Sequence, residues 1–157
     1  MGFFLEPYAR SVRARQKQSP KFYFFDCGVA RALSNEINQT LLPQTFSYGK
    51  IFEQMVICEC MRLNQYLEKN WKFSYLRTGA GLKIDLIIEK SKKEIILVEI
   101  KATQNCHEDH LSSLKKLGDL FINSTKYLLC LDEMTRKISD IKIINWRQGL
   151  LEIFYKC

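Results

Sequence analysis

The sequence predicts a mixed α/β domain in which one central mixed sheet is flanked by helices. Three observations lead there. Between Tyr48 and Leu67, apolar residues recur at the spacing of a helix face. The period then changes: WKFSYLR (71–77), LKIDLIIE (82–89) and EIILVEIK (94–101) are β-branched or aromatic runs, separated by the turn-like pieces TGAG and KSKK. Helical spacing returns from about Glu108 to Phe121, and a further apolar run, TKYLLCL (125–131), follows it. The predicted order over this stretch is α-β-β-β-α-β.

Each element has its own reason. Residues 1–20 read as a basic N-terminal connector and residues 21–157 as a single domain. KFYFF (21–25) is apolar enough for a short buried strand. Asp26 stands where an N-cap would start a short helix that runs to about Leu33. Residues 34–46 are polar and contain Pro43, which marks a loop. In the long helix, Phe52, Met55, Val56, Cys60, Leu63 and Leu67 form the apolar stripe. In the second helix, Leu111, Leu114, Leu117 and Phe121 do so. After the region around Trp146, LLEIFY (150–155) reads as a last strand.

Composition narrows the function classes. With 157 residues, 46% hydrophobic and 26% charged, the chain is no disordered tail or fibre and is long enough to bury a core. No apolar run approaches the roughly 18 residues of a membrane span. The opening MGFFLEPYAR has too short an apolar stretch for a secretory signal. The six cysteines show no CxxC spacing, so reduced thiols and a cytoplasmic location are expected. Cys106, His107 and His110 lack a fourth ligand and a zinc-like spacing, and read as a loop and a helix start.

Charge is uneven. Lys plus Arg is 24 against 17 Asp plus Glu, a net +7. Residues 7–25 carry Arg10, Arg13, Arg15, Lys17 and Lys21 and no acid. Beside Tyr8 and Phe22–Phe25, this segment fits a surface that holds a phosphate backbone and stacks bases. It fits better a solvated connector followed by a buried aromatic strand.

The chemistry concentrates in residues 82–101. Strand side chains alternate faces, so Glu99 and Lys101 project together with Ile95 and Leu97. Asp85 shares a face with Lys83, Ile87 and Glu89, while Ile84, Leu86 and Ile88 point away. A hairpin turn centred near Lys92 sets Asp85 opposite Glu99, with Cβ atoms roughly 4.5–5.5 Å apart. Two facing carboxylates in apolar surroundings repel and need compensation. Lys101 supplies some; a divalent cation held by one or two carboxylates supplies more. A one-residue slip in register would undo the pairing. On the long helix, Glu53 and Glu59 fall on or beside the apolar stripe. Each reads as a ligand aimed at the sheet or as a border acid.

An acid on a first helix, then Ile84-Asp85, then Glu99-Ile100-Lys101 fourteen residues beyond Asp85, resembles the PD-(D/E)XK nuclease superfamily. The wider wording is PKFYFFDCGVARAL, YGKIFEQMVICE, YLRTGAGLKIDLII and LVEIKAT. It resembles the C-terminal domain of unsettled function that follows the P-loop domain in prokaryotic AAA-type ATPases. The resemblance covers about residues 3–131. Ile84 stands where the superfamily name has Pro. No P-loop is present, since Gly49-Lys50 is followed by Ile51, so no ATP hydrolysis is expected.

The resemblance implies a restriction-endonuclease-like core, a partner ATPase domain and no membrane. It implies a DNA phosphodiesterase in which Asp85 and Glu99 hold Mg²⁺ or Mn²⁺, with Glu53 close by and the Ile100 carbonyl completing the site. Lys101 would orient water or stabilise the transition state. Arg77 and Thr78 would contact phosphate, and Gln104 would help position substrate. The same fold also serves as a non-catalytic module that binds nucleic acid or docks a partner. A third alternative is a purely structural ion cluster.

Overall fold

Ile-, Leu- and Val-rich runs bury both of their faces here, and this requires helices on either side of one sheet. A computed structural model of the chain describes residues 2–8 and 18–155. Its elements are β1 (Gly2–Pro7), β2 (Lys21–Phe24), α1 (Cys27–Leu33), α2 (Phe46–Tyr66), β3 (Lys72–Arg77), β4 (Lys83–Glu89) and β5 (Ile95–Ile100). A 3₁₀ turn (Glu108–Leu111) leads into α3 (Ser112–Gly118), followed by β6 (Ser124–Cys130), β7 (Arg136–Ile138), β8 (Ile141–Asn145) and α4 (Trp146–Tyr155). The eight strands described lie in the order β2-β1-β3-β4-β5-β6-β8-β7. Pairing is antiparallel in β1/β2, β3/β4, β4/β5 and β7/β8, and parallel in β1/β3, β5/β6 and β6/β8. The mixed α/β class and the mixed sheet are as predicted.

Two helix starts show why the chain turns where it does. The Asp26 carboxylate accepts the Val29 N–H at 3.0 Å and caps α1. The Thr45 hydroxyl accepts the Tyr48 N–H at 3.3 Å and caps α2. From there Phe52, Val56, Ile57 and Cys60 pack on one face of the sheet, against Leu86, Val98 and Ile100, together with α4. Leu111, Leu114 and Leu117 pack on the other, against Ile87, Leu97 and Leu128.

Four readings of the sequence need correction. Gly2–Pro7, read as connector, is a strand: Leu5 is buried, and Pro7 pairs with Tyr75. LLEIFY, read as a strand, lies in α4, because Leu150, Ile153 and Phe154 are buried at helical spacing while Leu151 and Tyr155 are exposed. The β7–β8 hairpin was not anticipated; its strands are short and charge-interrupted. Last, alternation fails in β4. Ile84 and Ile87 pack on the α3 face, but Leu86 and Ile88 on the α2 face. Ser74 pairs with Ile87 and Leu76 with Ile84, so Asp85 and Leu86 together face Tyr75. That is a β-bulge, and it carries the central carboxylate.

Candidate functional site

The β4–β5 register is the predicted one: Leu86 pairs with Val98 and Ile87 with Leu97. Just beyond that ladder, the chain buries two acids, one on each strand. Asp85 is 0% exposed and Glu99 2%. Charges at such depth need partners, and each has a different set.

Asp85 uses both carboxylate oxygens. Oδ2 accepts the Ile100 backbone N–H at 2.9 Å. Oδ1 accepts from the Lys83 ammonium at 2.6 Å. Burial and the neighbouring Glu53 charge push the Asp85 carboxyl above its ordinary value, against the pull of Lys83 and the Ile100 N–H.

Glu99 is less well served. Its Oε1 accepts from Lys101 Nζ at 2.8 Å. Its Oε2 is buried with no hydrogen-bond partner among the described residues. Burial and the Asp85 charge raise this carboxyl to about 7, opposed by Lys101 and Lys83.

Glu53 comes from α2, at the edge of the packed stripe. Its Oε1 accepts from the Tyr23 hydroxyl at 3.0 Å and from Lys21 at 3.4 Å; its Oε2 accepts from Lys83 at 3.4 Å. Burial pushes Glu53 up, but Lys83, Lys21 and Tyr23 more than offset it and hold it below its ordinary value. Glu53 therefore reaches Asp85 through Lys83. Among the described residues, no three His, Cys, Asp or Glu side chains stand together closely enough to hold a metal ion by themselves.

Other predicted residues fall at different distances from this chemistry. Arg77 is exposed at the end of β3, where its carbonyl accepts from Gln18 Nε2 at 2.8 Å. The Thr78 hydroxyl works in its own turn, donating to the Leu82 carbonyl at 3.3 Å and accepting the Leu82 N–H at 3.2 Å. Gln104 is exposed in the loop after β5. Arg10, Arg13, Arg15 and Lys17 lie outside the described residues. Glu59 is half-exposed and pairs with Arg62, as a border acid does.

Sequence reasoning did not single out Lys83, Lys21 or Tyr23 for this site. For Lys83 a signal existed, since it stands two residues before Asp85 and so shares its side of a strand. Lys21 and Tyr23 reach Glu53 only because β2 packs against α2, a contact that no spacing announces.

A family model described as a domain of unknown function, DUF4143, matches residues 48–148. The chain belongs to the DUF4143 family. The matched part of this DUF4143 chain runs from α2 into the start of α4 and includes Glu53, Lys83, Asp85, Glu99 and Lys101. It leaves out β1 and β2, and with them Lys21 and Tyr23. No curated protein and no solved structure matches the chain.

Proposed function

We propose that this domain is a divalent-cation-dependent nuclease whose reacting centre is Asp85, Glu99 and Lys101. The observation that carries the reading is the unpartnered buried Glu99 Oε2 beside a second, fully buried carboxylate. Two buried carboxylates of this kind are the donor set that Mg²⁺ or Mn²⁺ takes when it keeps waters for a phosphate to replace. Asp85 and Glu99 would hold the ion, and Glu53 would stand behind them, fixed by Tyr23, Lys21 and Lys83. The chemistry supplied there by a bound Mg²⁺ or Mn²⁺ is activation of water and neutralisation of phosphate charge. Lys101, 2.8 Å from Glu99, is a point charge at the same place and would orient the water or the phosphate oxygens. DNA is the proposed substrate, on the resemblance of the Glu99-Ile100-Lys101 strand and the excess of positive charge.

The test is cleavage of plasmid and short-duplex DNA with Mg²⁺ or Mn²⁺ by wild type, Asp85→Ala and Lys101→Ala. The expected result is metal-dependent cutting that falls by roughly 100-fold or more in each variant. One observation favours a second reading: Lys83 already neutralises Asp85, so the cluster is partly compensated without metal. A folded wild type that never cuts, yet binds DNA with an affinity that drops as salt rises, would replace the nuclease with a nucleic-acid-binding module.

A further inference from the structure

Both oxygens of Asp85 are engaged. Oδ2 is tied to the Ile100 N–H, a backbone donor fixed by the sheet, so it is not readily freed. Oδ1 is the oxygen a cation would take, and Lys83 holds it at 2.6 Å. The same ammonium also lies 3.4 Å from Glu53 Oε2. It thus bridges the helix acid and the strand acid. Its side chain is 38% exposed, and β4 begins at this residue. The charge of Glu99 acts on it as well.

We infer that Lys83 is a tethered cation seated where a divalent ion enters at Asp85, so that metal binding is an exchange of ammonium for ion. This rests on the proposal that Asp85 and Glu99 take a divalent cation. The physical ground is charge. An ammonium and a dication cannot share one carboxylate oxygen without strong repulsion, which is large where water is scarce. While Lys83 is in place, the Asp85 carboxylate is compensated without metal. When the ion binds, Lys83 must swing out, and its half-exposed position gives it somewhere to go. The freed ammonium then stands at the rim of the site, placed to meet a phosphate. Apparent metal affinity is lowered by the competition, and a protein with a neutral side chain at this position loses that brake.

The experiment is Mn²⁺ binding, followed by calorimetry and by the spin-resonance signal of free Mn²⁺. It compares wild type with Lys83→Met, Lys83→Gln, Lys83→Arg and Asp85→Asn. Lys83→Met and Lys83→Gln should bind Mn²⁺ at least tenfold more tightly than wild type. Lys83→Arg should bind no better than wild type, and Asp85→Asn should lose binding. Mn²⁺ should also raise the Tm of Lys83→Met more than that of wild type. In wild type, carbon NMR of the lysine Cε atoms should show Lys83 moving on addition of Mg²⁺ while Lys115, paired on the surface with Glu108, stays put. Equal affinity in wild type and both neutral variants, with loss in Asp85→Asn, would overturn the exchange but leave the metal site standing. No Mn²⁺ binding by any folded protein, with an unmoved Lys83 signal, would overturn the metal reading and the exchange with it.

Discussion

Glu99 shows what a single buried carboxylate does to this protein. Its carboxyl is raised from the ordinary 4.5 to about 7, first by burial and then by Asp85. A group raised on folding binds its proton more tightly in the native state, so it favours folding at low pH. That contribution is complete below pH 4.5 and is lost as pH rises through 7. In chelator-containing buffer, wild type should therefore lose stability relative to Glu99→Gln between these two pH values. Urea midpoints measured across that range check it, and a constant difference would contradict the assignment. At this scale the sequence was informative. Spacing pointed to Asp85, Glu99 and Lys101, whereas Glu53 was set apart from Glu59 only by the family resemblance. Lys21 and Tyr23 were not legible, because their role depends on a packing contact between β2 and α2.

At the scale of elements, period decides most of the assignments and fails where a local irregularity intervenes. The β4–β5 hairpin falls in the expected register, yet the bulge at Asp85–Leu86 reverses the faces on one side of it. Alternation cannot register an extra residue whose cause is the pairing to β3. The helix α4 illustrates the opposite case. Its buried Leu150, Ile153 and Phe154 carry a helical signature that a short, nearly continuous apolar run obscured. This helix lies close on the sheet at Gly149, where an added Cβ would stand 2.3 Å from Leu129 Cδ2 and 3.1 Å from Ile144 Cγ2. Both neighbours are buried in a close-packed interior. Gly149→Val should cost about 2 kcal/mol through overpacking. A urea midpoint within error of wild type would show that the helix can move aside.

For the whole molecule, the first strand matters more than its sequence suggests. Leu5 is 1% exposed and Tyr8 donates its N–H to the Tyr75 carbonyl at 2.7 Å. Phe3 packs against Tyr23, which in turn holds Glu53. Removing residues 1–20 would uncover the β3 edge and part of the α2-side core. The shortened protein should unfold at least several degrees earlier than the full chain, and thermal scans of the two decide it. An unchanged Tm would mean that this edge is an accessory to a core that stands without it. No helix among the described residues is long and apolar enough to cross a membrane.

The amino-acid order by itself determined the α/β class, the run from α2 to β6 and the β4–β5 register. These depend on side-chain period, on turn chemistry and on residue spacing along single elements, all of which are local. The tertiary structure alone decided three further matters. It set the bulge that turns Asp85 inward, since that comes from the pairing of β3 with β4. It brought Lys83 between Glu53 and Asp85, since that needs α2 packed on the sheet. It made a strand of Gly2–Pro7, because antiparallel β2 on one side and parallel β3, some seventy residues away, on the other supply the hydrogen bonds that the segment lacks by itself.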